Sequence, residues 1–150
     1  MKDMPTPKDV EPSLALSAWT LRLDGAFLAL AGFGGMVTDT IGHFFGAGPL
    51  ASTLHSPYTI GGFEAHGLAV IISVLLLRGA SLPDRRLWHI LALSVHLLLG
   101  AANLIFWSSF EQLDVVMVGV VTTVLHIFFV LAQGVCLYRI NPSSWQEYTR

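Results

Sequence analysis

Charge is what this chain lacks. Asp, Glu, Lys and Arg make up 12% of its 150 residues, about half of the roughly 25% that a soluble domain carries. That scarcity excludes a soluble enzyme and an intrinsically disordered chain, which both need a charged, hydrated surface. It excludes a nucleic-acid binder as well, because 8 basic residues against 10 acidic ones leave a formal net charge of −2. Cysteine is almost missing. Cys136 stands alone, so there is no intrachain disulfide, CxxC redox pair, structural zinc site or CxxCH haem attachment. No Ser-His-Asp order, Walker loop, GxGxxG or HExxH is present. Nor does any repeat recur at the spacing of solenoids or inverted-repeat transporters.

What is present is apolar. Hydrophobic residues are 53% of the chain and the mean hydropathy is +0.64. Two runs, Leu87 to Phe110 and Val115 to Tyr138, are each 24 residues without a charged side chain, and about 20 apolar residues cross a bilayer as a helix. Upstream, a run from Leu23 to about Phe45 is interrupted by Asp39, and one from about Gly61 to Leu77 carries Glu64 near its start. A lipid-exposed backbone must satisfy its own hydrogen bonds, so all four are read as helices. The expectation is one all-α integral membrane domain, an antiparallel four-helix transmembrane bundle with spans at about 22–45, 61–77, 87–108 and 114–138. Residues 1–18 and 140–150 are expected as cytoplasmic tails, and the segment from Trp107 to Asp114 as a tight turn.

Charge placement orients that bundle. Lys2, Lys8, Arg22, Arg78, Arg85, Arg86, Arg139 and Arg150 all fall in the N-terminal segment, the middle loop or the C-terminal tail. The positive-inside rule then puts both termini in the cytoplasm. Trp19, Trp88 and Tyr138 fall at the inner interface, Tyr58 and Trp107 at the outer one. Compactness and short loops suggest a bacterial inner membrane. The lipid bilayer is the expected partner, together with a homo-oligomer or a larger membrane complex.

Several polar side chains remain inside the spans, where a charge costs roughly 2.5–3.5 kcal/mol. A rise of about 1.5 Å per residue converts position into depth from the outer helix ends. His43 lies roughly 5 Å down, His66 and Asn103 about 6–8 Å, Asp39 about 10 Å, and His96 and His126 roughly 17–20 Å. His89 lies near the inner surface. The groups also share faces. His89, His96 and Asn103 form one stripe on the third helix, and Gly119, Thr122, His126 and Gln133 another on the fourth. Asp39 and His43 sit one turn apart on the first, while Gly62, His66, Ala69 and Ser73 line up on the second. Glu64 is about 200° from His66 around an ideal helix.

Three functions fit this layering. Asp39, His43 and His66 offer mixed carboxylate and imidazole ligands for a transition metal, with Asn103 in support. The Asp39-x3-His43 step followed by His55 faintly resembles the copper pattern in the C subunit of membrane-bound monooxygenases. Its later spacing departs by a residue and nothing else in the chain matches, so no family is assigned. His96 and His126, at one depth on different helices, are the candidate ligands of a haem b. Asp39 or Glu64 could serve as the acid of a membrane-embedded enzyme. Set against a redox or enzymatic role is a cofactor-free accessory or transport subunit, whose stripes serve proton or solute passage or act as interhelical hydrogen-bond groups worth about 0.6 kcal/mol each.

Overall fold

A computed structural model of the chain describes residues 7–48, 51 and 59–140, with side chains from Leu14 onward. It is 88% helix, with no strand among the described residues. The helices are α1 (Pro7–Phe45), α2 (Thr59–Gly79), α3 (Arg86–Ile105), α4 (Trp107–Gln112) and α5 (Val116–Arg139). Leu14–Phe45 of α1, together with α2, α3 and α5, are long and apolar enough to cross a bilayer. Large apolar side chains such as Leu30, Phe33, Phe45, Leu98, Ile105 and Met117 are exposed on them. Four such helices with outward-facing apolar residues fit a multi-pass membrane protein in contact with lipid.

The helix bounds correct the sequence reading in three places. α1 begins at Pro7 and runs 39 residues, about 58 Å, so 7–18, expected as a cytoplasmic tail, is helical and continuous with the first span. Ser17 and Ala18 are buried on it. The third span ends at Ile105, where Phe106 leaves the helical region at φ −102°, ψ 29°. The stretch after it is not a bare turn but the six-residue α4. Asp114 then takes a left-handed φ of 55°, a conformation that Asp tolerates better than most residues. Most of the loop between α1 and α2, including His55 and Tyr58, and residues 141–150 lie outside the described residues.

The chain divides into two compact units: Met1–Arg22 with Gly79–Arg150, and Leu23–Arg78. In the first, α3 and α5 pack as an antiparallel pair, and the N-terminal part of α1 meets both. The Arg85 side chain ties this unit together at one end, donating from Nε to the Ala80 carbonyl at 3.0 Å and from Nη1 to the Leu14 carbonyl at 3.1 Å. At the other end the Phe110 ring of α4 covers Gly119 of α5, at 2.7 Å from where a Cβ would stand.

In the second unit the later part of α1 pairs with α2. A Cβ on Gly32 would lie 2.7 Å from the His66 carbonyl oxygen, which is backbone and cannot swing aside. A Cβ on Gly35 would overlap the His66 ring. These two glycines let the helix axes approach as small residues do in membrane helix pairs. They also set His66 flat against α1, beside the residue that holds it.

Candidate functional site

That residue is Asp39. It lies one turn beyond Gly35 on α1 and is buried, at 4% exposure. Its Oδ2 accepts a hydrogen bond from His66 Nδ1 at 2.7 Å, a length typical of a charge-assisted bond. The His66 side chain is 39% exposed, and among the described residues its Nε2 has no hydrogen-bond partner. With Nδ1 donating to the carboxylate, a neutral ring keeps its lone pair on Nε2. Asp39, though not His66, also lines an open cleft of about 510 Å³ with Thr40, His43, Phe44, Thr59, Ile60 and Phe63.

The residues chosen from the sequence separate here. Asp39 and His66 meet directly. His43, one turn past Asp39, is exposed and reaches the same cleft, with its ring edge-on to Phe44. Among the described residues no three His, Cys, Asp or Glu side chains converge where a metal ion could be held. Glu64 is exposed on α2 and outside the cleft lining. It stands apart from the Asp39–His66 pair, as the angular offset between Glu64 and His66 requires.

The other polar groups form cross-links in the first unit. His96 and His126, at 0% and 7% exposure, meet Nδ1 to Nδ1 at 2.8 Å. One ring donates and the other accepts, so the two neutral imidazoles carry different tautomers. Phe129 stacks on His96 with ring centroids 4.9 Å apart, and a Cβ on Gly100 would be 3.4 Å from the Cβ of His126. An iron between these nitrogens would require the rings to part.

One heptad toward the start of α3, His89 Nδ1 is hydrogen-bonded to Gln133 Oε1 and His89 Nε2 to Ser17 Oγ at 2.7 Å. With the Gln133 oxygen accepting, Nδ1–H donates and the Ser17 hydroxyl donates to Nε2. One heptad the other way, Asn103 Nδ2 donates to the hydroxyls of Thr122 at 3.0 Å and Thr123 at 3.2 Å. Beside these cross-links, the Cys136 thiol donates to Thr20 Oγ1 at 3.4 Å. Among the described residues no buried side-chain nitrogen or oxygen lacks a partner.

No family model, curated protein or solved structure matches the chain.

Sequence reasoning missed Ser17, placed in a tail, and Asp24, fully buried on α1. A signal for both was available. Ser17, Leu21, Asp24 and Leu28 recur at steps of four, three and four, the spacing of one helix face, and all four are buried. The presence of Arg22 beside them argued for ending the span there. Instead the Arg22 guanidinium folds back over the Trp19 ring, 5.3 Å from its centroid, as snorkelling cations do.

Proposed function

We propose that Asp39 and His66 form a membrane-embedded acid–base centre acting on a small ligand held in the adjacent cleft. The observation that carries this reading is the 2.7 Å bond from His66 Nδ1 to a buried carboxylate, with the opposite ring nitrogen left open. A carboxylate in that position fixes the tautomer that leaves Nε2 able to take a proton. The proton leaves the ligand's donor atom, and the resulting cation is paired with Asp39. Glu64 has no part in this step. The surrounding architecture we infer to be an antiparallel bundle of the four spans with both termini cytoplasmic, on the strength of the basic residues at its three cytoplasmic segments. A bacterial inner membrane is the setting this compact form suggests.

Reaction with diethyl pyrocarbonate tests the centre, because the reagent acylates accessible neutral imidazole nitrogens. In detergent-solubilised protein, His66 and His43 react while His89, His96 and His126 stay protected by burial. With rates extrapolated to the fully neutral rings, Asp39→Asn slows His66 acylation several-fold and leaves His43 unchanged. Equal rates at His66 with and without the Asp39 carboxylate would remove the basis of the reading.

A transition metal at the cleft is a second reading, favoured by one observation: Asp39 and His43, one helical turn apart, line the same cleft. Metal analysis of the purified protein decides it, with bound metal lost in both Asp39→Asn and His43→Ala. For the polar groups between α3 and α5, their mutual hydrogen bonding favours the packing role over ligation of a haem.

A further inference from the structure

The cleft beside Asp39 has an apolar neighbour. Two of its lining residues, Thr40 and Phe63, also line a second, apolar groove of about 320 Å³ formed with Phe33, Met36, Val37 and Ile41. Both volumes fall in the range of roughly 300–1,000 Å³ common for small-molecule sites. Polar and charged groups are thus confined to one end and hydrocarbon to the other.

The chemistry of the polar end selects the head of a ligand. Among the described residues the cleft lining has a carboxylate, Asp39, an imidazole, His43, and no lysine or arginine. The Thr40 hydroxyl already donates to the Met36 carbonyl at 2.8 Å, which leaves its oxygen lone pairs to accept. A phosphate, sulfate or carboxylate head would meet Asp39 without a fixed cation to offset it. A head that donates hydrogen bonds would meet acceptors. We propose that cleft and groove together form one site for a single-chain amphiphile whose head is a hydrogen-bond donor, an alcohol or an amine, with the chain along Phe33, Met36, Val37 and Ile41. This assigns a substrate class to the Asp39–His66 centre and rests on that reading for its chemistry, although binding itself does not.

Photolabelling of the full chain in nanodiscs tests the site. The probes are dodecanol, dodecylamine and dodecyl sulfate, each with a diazirine in the alkyl chain, and labelled residues are mapped by mass spectrometry. The alcohol or the amine labels the 33–41 segment and Phe63, while the sulfate labels them about tenfold less, the equivalent of one charge-assisted hydrogen bond. Labelling by the alcohol alone makes the head neutral, and labelling by the amine alone makes it cationic. Asp39→Asn lowers the labelling about tenfold by the same arithmetic, and Val37→Trp displaces it from the groove. If Asp39→Asn does not fold, His43→Leu and Thr40→Val at the exposed side of the cleft lower it instead. Equal labelling by all three heads, or labelling indifferent to these cleft substitutions, overturns the proposal and leaves the groove covered by bulk lipid only. Head-selective labelling with an unreactive His66 would keep the binding site and discard the acid–base centre. A reactive His66 without head-selective labelling would do the opposite.

Discussion

The imidazoles of His96 and His126 meet nitrogen to nitrogen at 2.8 Å across the α3–α5 interface, with Phe129 stacked on one of them. Two identical side chains from different helices thereby satisfy one nitrogen of each other at a buried site. Removing one ring takes the partner from a buried nitrogen of the other, whereas replacing both removes that nitrogen's need for one.

A double-mutant cycle exposes that relation. His96→Leu and His126→Leu should each destabilise the fold by about 1–3 kcal/mol, the cost of an unsatisfied buried polar group. The double substitution should cost less than their sum. Stability read by unfolding in mixed micelles checks it, and strict additivity would mean that the two rings do not depend on each other.

The Ser17–His89–Gln133 group should respond unequally to its two ends. Gln133→Leu leaves the His89 Nδ1–H without its acceptor and should cost about 1–3 kcal/mol. Ser17→Ala removes only a donor to Nε2 and should cost about 1 kcal/mol. The same unfolding measurement ranks them, and a larger loss for Ser17→Ala would reverse the tautomer assigned to His89.

Glycine substitutions in the second unit separate close approach from mere flexibility. Gly32→Ala forces a Cβ to within 2.7 Å of the His66 carbonyl and should destabilise by about 1–3 kcal/mol, as overpacking does. Gly34→Ala meets nothing within 4 Å and should be neutral or slightly stabilising through higher helix propensity. Thermal unfolding of the two variants side by side checks the contrast. Similar losses at both positions would argue against close packing at Gly32.

Topology follows from the distribution of arginine and lysine. Reporter fusions after Arg150 and between Arg78 and Arg86 should read cytoplasmic, and a fusion at Ser109 should read external. One reversed reporter would undo the orientation inferred for the proposed bundle.

The spans and their polar faces were legible because both are periodic signals. Two charge-free runs and two apolar runs with few charges announced four helices, and the seven-residue spacing of His89, His96 and Asn103 placed them on one face. Matching depths brought His96 to His126 and Asp39 to His66. Other features depended on information that periodicity does not hold. The α1 helix continues past Arg22 because a long cation can fold back on Trp19, and a charge count cannot register that. The short α4 arises where Phe106 breaks the helix and Asp114 adopts a left-handed turn, a local backbone choice. Glu64 looked chemically apt, yet a helix angle, visible beforehand, keeps it from the face that carries His66.

The polar cross-links between α3 and α5 also restrict how the two helices can be aligned. His89 with Gln133 and His96 with His126 are the same pairing moved by seven residues along each helix, and Asn103 with Thr122 and Thr123 closes the series. Sliding α5 by one such step would set His96 against Gln133 or Gly119 and leave at least one polar side chain facing hydrocarbon. Smaller slides would break every cross-link at once. An apolar seam of leucines would tolerate many alignments at similar energy, because lipid tails and leucine side chains solvate one another equally well. Here the sequence of unlike teeth admits one setting, so the hairpin selects its own register as it forms.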